Sequence, residues 1–254
     1  MIVEVICFGN EVEMLRGRLN QLLPFVDRLH IVESDKTHTG HPKGYLAANL
    51  IREFSQQKIY YHPIVGWDSG DAWNNESNHR RACGKVVANY PDDTFIIYAD
   101  VDEWWEPESL DTTIDDAVVL NMRKHHFKLD WFHKMELAAI AGRASALRGM
   151  DYYATKIAVC GAREGGVPPY RVVNNGWHFS SIGSWADVER KVRSFSHTEF
   201  VPMLDQIRGC YENGHDHLGV KFTQVGLDCL PSYFADGRAP AEWYHLPKPP
   251  QSQE

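Results

Sequence analysis

The sequence predicts an α/β fold: a mostly parallel sheet with helices on both faces. Three observations point there. Short apolar runs alternate with helically spaced segments four times in the first 100 residues, the pattern of successive βαβ units. The runs are nearly continuous in hydrophobicity, as strands covered on both faces must be. The chain has 254 residues, 43% hydrophobic and 24% charged, enough for one sizeable core.

Residues 2–8 form the first apolar run and read as a buried parallel strand. Val12, Leu15, Leu19 and Leu22 then recur at helical spacing, and Pro24 closes that segment. Leu29 to Val32 reads as a second strand, Leu46, Leu50 and Phe54 as a helix, and Lys58 to Tyr61 as a third strand. A long helix is expected from Ala72 to Tyr90. Its inward stripe is Trp73, Glu76, Arg80, Cys83 and Val87, so two charged residues share the buried face. Pro91-Asp92-Asp93 makes a turn into Thr94–Ala99, the most hydrophobic strand of the chain. The second half is less regular. Ala117 to Trp131 suggests a long strand or hairpin arm, and Ser184 to Phe195 a helix. With no repeat and no clear linker, residues 1–245 read as one domain and 246–254 as a Pro-rich flexible tail.

The formal net charge is -8. A module that coats nucleic acid is normally basic, because phosphate contacts supply most of that affinity; the balance here argues against one and leaves room only for a local basic groove. Five scattered cysteines without a C-x-x-C pair suit a reducing compartment and supply no thiolate zinc site. There is no basic leader and no apolar run of membrane-spanning length, so the expectation is a cytoplasmic protein without a membrane anchor.

Asp100-Val101-Asp102-Glu103 follows the most apolar strand directly. In open α/β sheets, ligands bind beyond the carboxyl ends of the strands. Three carboxylates within four residues repel one another unless something neutralises them. A divalent cation with a taste for oxygen, Mg²⁺ or Mn²⁺, would do so and could bridge a diphosphate leaving group. The bland alternative is a solvated acidic turn, but Trp104-Trp105 after the cluster and the buried strand before it make an odd setting for one. Phosphatases of the haloacid dehalogenase type also place D-x-D after an apolar strand. Theirs opens the domain and continues into small residues, whereas here about 100 residues precede it and Glu103-Trp104 follows.

Several further motifs recur in a fixed order: Asn10-Glu11-Val12-Glu13-Met14-Leu15 with Arg18-Leu19-Asn20; Ile31-Val32-Glu33-Ser34 with Thr37 and Gly40; Trp73, Glu76 and Arg80; Phe95-Ile96-Ile97 with the acidic cluster; Met122-Arg123-Lys124; Gly176-Trp177-His178-Phe179-Ser180; and Lys191 with Ser194-Phe195-Ser196-His197 and Glu199. In this order and spacing the chain resembles glycosyltransferase family 17, the β-1,4-mannosyl-glycoprotein N-acetylglucosaminyltransferase family, from the first strand to about Arg208. It departs from the family pattern at Trp104-Trp105, where Ile-Pro is usual, and between Cys210 and Cys229. The resemblance implies a GT-A-type fold, a UDP-sugar donor, most often UDP-N-acetylglucosamine, a glycan or glycoconjugate acceptor, and inversion at the anomeric carbon.

On that basis Asp102 is expected to hold the metal, with Asp100 on the metal or the ribose and Glu103 as a third candidate. Glu33 and Asn10, at strand ends, are candidates for the nucleoside; Asn10 or Glu11 could instead cap the following helix. Arg80, oriented by Glu76, and Lys191 are candidates for the diphosphate. Arg123 and Lys124 point to opposite faces of a strand, and Arg123 is preferred because its fork of donors suits phosphate. His178 is the candidate that completes the metal shell, with His197 as alternate. The pairs His125-His126 and His215/His217 are read as structural or surface residues. Inverting transfer needs a general base; Glu199 is preferred over Asp130, Asp187 and Asp216. Two other acceptor-side readings stay open. One is sugar transfer onto a modified DNA base. The other is a non-catalytic carbohydrate-binding protein, suggested by eight tryptophans.

Overall fold

A computed structural model describes residues 1–54, 57–67 and 69–247; the expected tail therefore lies, from residue 248 onward, outside the described residues. Strand β1 (Ile2–Phe8) leads into helix α1 (Val12–Leu22), followed by β2 (Arg28–Ser34), the short α2 (Ala47–Leu50), β3 (Ile59–Ile64), α3 (Ala72–Val87) and β4 (Phe95–Asp100). After the two-residue β5 (Glu103–Trp104) come β6 (Val118–His126), β7 (Trp131–Arg143), α4 (Ala144–Leu147), α5 (Tyr152–Arg163), β8 (Arg171–Ser180), α6 (Trp185–Ser194), α7 (Leu204–Asn213) and β9 (Thr223–Gln224). One sheet holds all nine strands in the order β3-β2-β1-β4-β7-β6-β8-β5, with β9 on β7. Seven run in one direction; β7 and β5 oppose them. The expected mostly parallel α/β sheet is what forms.

The two faces of β1 show why. Ile6 and Phe8 pack with Leu15 and Leu19 of α1 in one core, and Val3, Val5 and Cys7 pack with Cys83 and Val87 of α3 in the other. Helices thus cover both faces, and the connection reverses between β1 and β4. Pro63 is tolerated in β3 because β3 is an edge strand. The helix expected around Leu46–Phe54 shrinks to α2 and one 3-10 turn. The long segment from Ala117 resolves as the first arm of a hairpin: Phe127, at φ 65°, ends β6 and turns the chain back into β7. Of the tryptophans, Trp104, Trp105, Trp131, Trp177 and Trp243 are buried, so most of the eight serve packing.

Beneath the acidic loop lies a buried ion pair. Arg18 of α1 donates to Glu4 of β1 at 2.6 Å, and its other nitrogen reaches the carbonyls of Val101 and Glu103 at 3.1 and 2.7 Å. Glu4 also accepts from the Trp105 indole at 2.7 Å. One guanidinium therefore fastens the loop to the first helix, which explains why Trp104 and Trp105 run inward directly after the acidic cluster.

Gly176 shapes the opposite wall. Here β8 carries an extra residue relative to β6, the geometry of a bulge. Gly176 sits at φ 76°, and a Cβ there would lie 2.1 Å from the Trp104 carbonyl oxygen. Gly176→Ala is expected to destabilise by about 2 kcal/mol or more, from the left-handed backbone plus that clash. A thermal melt within 1–2 °C of wild type, roughly the shift from a fraction of a kcal/mol, would contradict this account of the bulge.

Candidate functional site

The carboxyl edge of the sheet collects the ends of β1, β2, β4, β6 and β8, and the reversal between β1 and β4 marks the switch point where such sheets bind ligands. Asp100 ends β4 there, in register with Cys7 of β1. A cleft of about 550 Å³ opens over this edge, and a second cavity of about 430 Å³ adjoins it. Asp102 and Lys191 line both.

Each carboxylate of the cluster meets a cation from a distant segment. Arg80 of α3 forks onto Asp100, with Nη1–Oδ1 at 2.6 Å and Nη2–Oδ2 at 3.0 Å, while its Nε donates to Glu76 at 2.7 Å. The Ser196 hydroxyl donates to the other oxygen of Glu76. Lys156 of α5 donates to both oxygens of Glu103, at 2.6 and 2.7 Å, and lies 3.6 Å from Asp100. Lys191 of α6 donates to Asp102 at 2.6 Å and reaches Glu11 at 3.2 Å. Burial alone would raise the Asp100 and Asp102 carboxyls; the charges of Arg80 and Lys156 on the first, and of Lys191 on the second, outweigh it and hold both below the usual range. Burial would lower the Lys191 ammonium, but Asp102 and Glu11 raise it above its ordinary value. The repulsion read from the sequence is thus answered by the protein's own cations.

His178 approaches from β8. Its Nδ1 is 2.9 Å from Glu136 of β7, and its Nε2 is 4.0 Å from Asp102. A carboxylate on Nδ1 fixes a ring proton there and presents the Nε2 lone pair to the far side, the way imidazoles are oriented for a metal. The Asp102 oxygen nearest to it, Oδ2, is the one that Lys191 holds at 2.6 Å, so a metal ion seated between Asp102 and His178 would take the place of that ammonium. On those terms Asp102 and His178 fit a divalent cation as two protein ligands. Asp100 does not, since Arg80 occupies both of its oxygens. Among the described residues no three His, Cys, Asp or Glu side chains converge as a complete protein metal site. Magnesium-type ions commonly take one or two protein ligands and fill the rest from substrate phosphate and water.

The other expected residues fall into place unevenly. Glu76 and Arg80 do face inward, and the donors of Arg80 go to Asp100 and Glu76. Glu33 is fully buried and saturated, accepting from Lys43 at 2.8 Å, Leu46 and Ala47 backbone at 2.6 and 3.0 Å, and Tyr61 at 2.7 Å. It anchors the loop before α2. Asn10 lines the smaller cavity but spends its side-chain amide on Ser194 at 3.0 Å; neither it nor Glu11 caps α1 with a side chain. Arg123 lies over the Trp177 ring at 5.3 Å, and it is Lys124 that faces the cleft: the two do take opposite faces, in the reverse sense. Glu199 is exposed and paired with His197 at 2.7 Å, lining neither cavity. Of the other acid candidates, Asp130 is buried and caps the backbone of His245 and Leu246, Asp187 closes the capping box of α6, and Asp216 lines the cleft. His125 is buried against Phe132 and Phe179, as expected of a structural histidine.

Lys156 and Glu136 escape sequence reading. Lys156 is the single charged residue of Ala154–Val159, and Glu136 stands directly before the apolar run Leu137–Ala141; those settings are the signal available.

The sequence matches the profile of glycosyltransferase family 17 over residues 1–208. No curated protein matches it. Similar solved structures include the galactosyltransferase LgtC with donor and acceptor sugar analogs, at 11% identity over 66% of this chain and 66% of that one, TM-score 0.37. Also similar are 4-diphosphocytidyl-2C-methyl-D-erythritol synthase, at 11% identity over 68% and 88%, TM-score 0.38, and the Francisella tularensis 2-C-methyl-D-erythritol 4-phosphate cytidylyltransferase, at 13% over 76% and 99%, TM-score 0.36. The chain thus spans 66% of the length of that galactosyltransferase. Likenesses at these scores bear on neither donor nor acceptor.

Proposed function

The chain belongs to glycosyltransferase family 17 and is a glycosyltransferase; from that premise we propose that it transfers a sugar, N-acetylglucosamine, from a UDP-linked donor to an acceptor hydroxyl, with inversion, at the Asp102–His178–Lys191 constellation. The observation that carries this reading is the convergence of those three side chains at the switch point of the sheet, from β4's loop, β8 and α6.

Departure of the nucleoside diphosphate develops negative charge on the phosphate oxygens, and stabilising that charge is the main task of such a site. Lys191 is the cation at hand: its ammonium sits between Asp102 and Glu11, at the edge of both cavities, where a phosphate oxygen would meet it. Asp102 and His178 would hold Mn²⁺ or Mg²⁺, which when bound supplies Lewis-acid neutralisation of the diphosphate. Glu136 fixes the His178 ring, and Arg80 keeps Asp100 out of the way of the entering anion. The acceptor hydroxyl loses its proton to a carboxylate as its oxygen bonds to the anomeric carbon and the bond to the diphosphate breaks.

The test is thermal melting with UDP, UDP-N-acetylglucosamine and GDP, each with Mn²⁺, with Mg²⁺ and with excess chelator, beside a donor-hydrolysis assay. UDP and its sugar should stabilise only with the metal. Equal stabilisation in chelator would refute the metal bridge, and stabilisation by GDP alone would refute the donor.

A further inference from the structure

A second charged cluster lies in the same cleft, on β6, β7 and α5. Glu136, 5% exposed, is the carboxylate at its centre. Lys124 lies 2.9 Å from it, Arg163 3.5 Å and Lys134 3.9 Å, in addition to His178. One cation suffices to match a buried carboxylate, and here three reach it, more positive charge than Glu136 itself requires. The imidazoles of His126 and His133 line the same cleft, each with a buried Nδ1 that has no hydrogen-bond partner among the described residues, although His133 Nε2 lies 3.1 Å from Asp216. A structural ion pair needs neither the extra cations nor the idle ring nitrogens.

Position decides which ligand these groups meet. β7 lies beside β4 on the side away from β1 and β2. On the proposed function, a nucleotide occupies the β1–β4 switch point, and its diphosphate ends at Asp102. The cluster lies beyond that point, over β6 and β7, on the acceptor's side. We infer that Lys124, Lys134 and Arg163 form a subsite for a phosphate group carried by the acceptor sugar. Cations in excess of the one carboxylate they reach suit a phosphate monoester, whose oxygens accept from ammonium and guanidinium donors alike. A nucleic-acid backbone would instead call for cations strung along a groove, whereas these converge on one point.

This inference rests on the proposed donor reading for its placement, and the experiment separates the two. Glucose 6-phosphate, glucuronate and glucose serve as probes in calorimetric titrations of the whole protein, with a duplex oligonucleotide as a fourth. Glucose 6-phosphate should bind, glucose should not, and glucuronate should bind more weakly. Lys134→Gln, at a half-exposed side chain that folding tolerates, should weaken glucose 6-phosphate about tenfold, the worth of one charge-assisted contact, and Lys134→Gln with Arg163→Gln should abolish it. Unchanged binding in both variants overturns the subsite. Displacement of glucose 6-phosphate by UDP with Mn²⁺ overturns its assignment to the acceptor. Glucuronate binding as tightly overturns phosphate, and tighter, steeply salt-dependent binding of the oligonucleotide overturns the sugar. A wild type that ignores UDP yet binds glucose 6-phosphate through Lys134 sinks the donor reading and leaves the anion subsite standing.

Discussion

Lys156→Met is expected to lower the melting temperature by about 10 °C. The ammonium is 4% exposed and is the cation on Glu103, itself 1% exposed, with Asp100 3.6 Å away. Methionine fills the same space and leaves that carboxylate buried without its countercharge. Breaking a buried pair from one side costs about 3–5 kcal/mol, and a chain near this size loses roughly 2–4 °C per kcal/mol. The double variant Lys156→Met with Glu103→Gln should recover most of the loss, because a neutral amide still accepts the Asp100 backbone hydrogen bond that Glu103 receives at 2.9 Å. Circular dichroism melts of the three proteins decide it: a single variant that melts with wild type, or a double variant no better than the single, means that Lys156 does not hold the loop by charge.

Asp102→Asn is expected to abolish turnover, by about 100-fold or more, the usual cost of removing a group that organises transition-state charge. It should also erase most of the stabilisation by Mn²⁺ and UDP. A ligand at 100 times its dissociation constant adds about 2.7 kcal/mol, or a shift of about 5–10 °C. Without ligand, three crowded carboxylates read from the sequence alone predict that the variant's stability stays equal or rises slightly. Lys191 reverses that sign: its contact with Asp102 at 2.6 Å loses its charge, so the unliganded variant should melt slightly below wild type. The drop should be smaller than for Lys156→Met, because Lys191 keeps Glu11 and is partly exposed. Normal donor hydrolysis together with a full Mn²⁺/UDP shift would identify Asp102 as an ordinary acidic turn residue.

Elements with strong local signals were legible in the sequence. The apolar runs at residues 2–8 and 94–99 and the periodic stripes of α1, α3 and α6 each announce themselves within a few residues, and the acidic cluster takes its place from the strand it follows. So do Asp102, His178 and Lys191, which the fold brings together. What was illegible depends on distant partners. Glu33 looks like a free strand-end carboxylate until the loop before α2 folds over it. Arg123 and Lys124 differ by one position, and only the register of β6 against β7 and β8 says which meets the cleft. Glu136 and Lys156 gain their meaning from segments dozens of residues away. α5 went unread because nothing in its local pattern separates it from the irregular second half.

The pairing of each acid with a distant cation has a consequence for the order in which the protein can be made. The four parallel strands β1 to β4 are complete once residue 100 has been added, but Lys156 follows Glu103 by 53 residues and Lys191 follows Asp102 by 89. At about 5–20 residues per second, a growing chain carries its acidic loop beside an apolar strand for several seconds before the counterions emerge from the ribosome. Over that interval the loop is expected to lack its Lys156 and Lys191 counterions, with Trp104, whose ring packs on Phe179 and Phe234, undocked and available to a chaperone. Chains released before α6 should therefore be short-lived, although they already contain every strand of the parallel half.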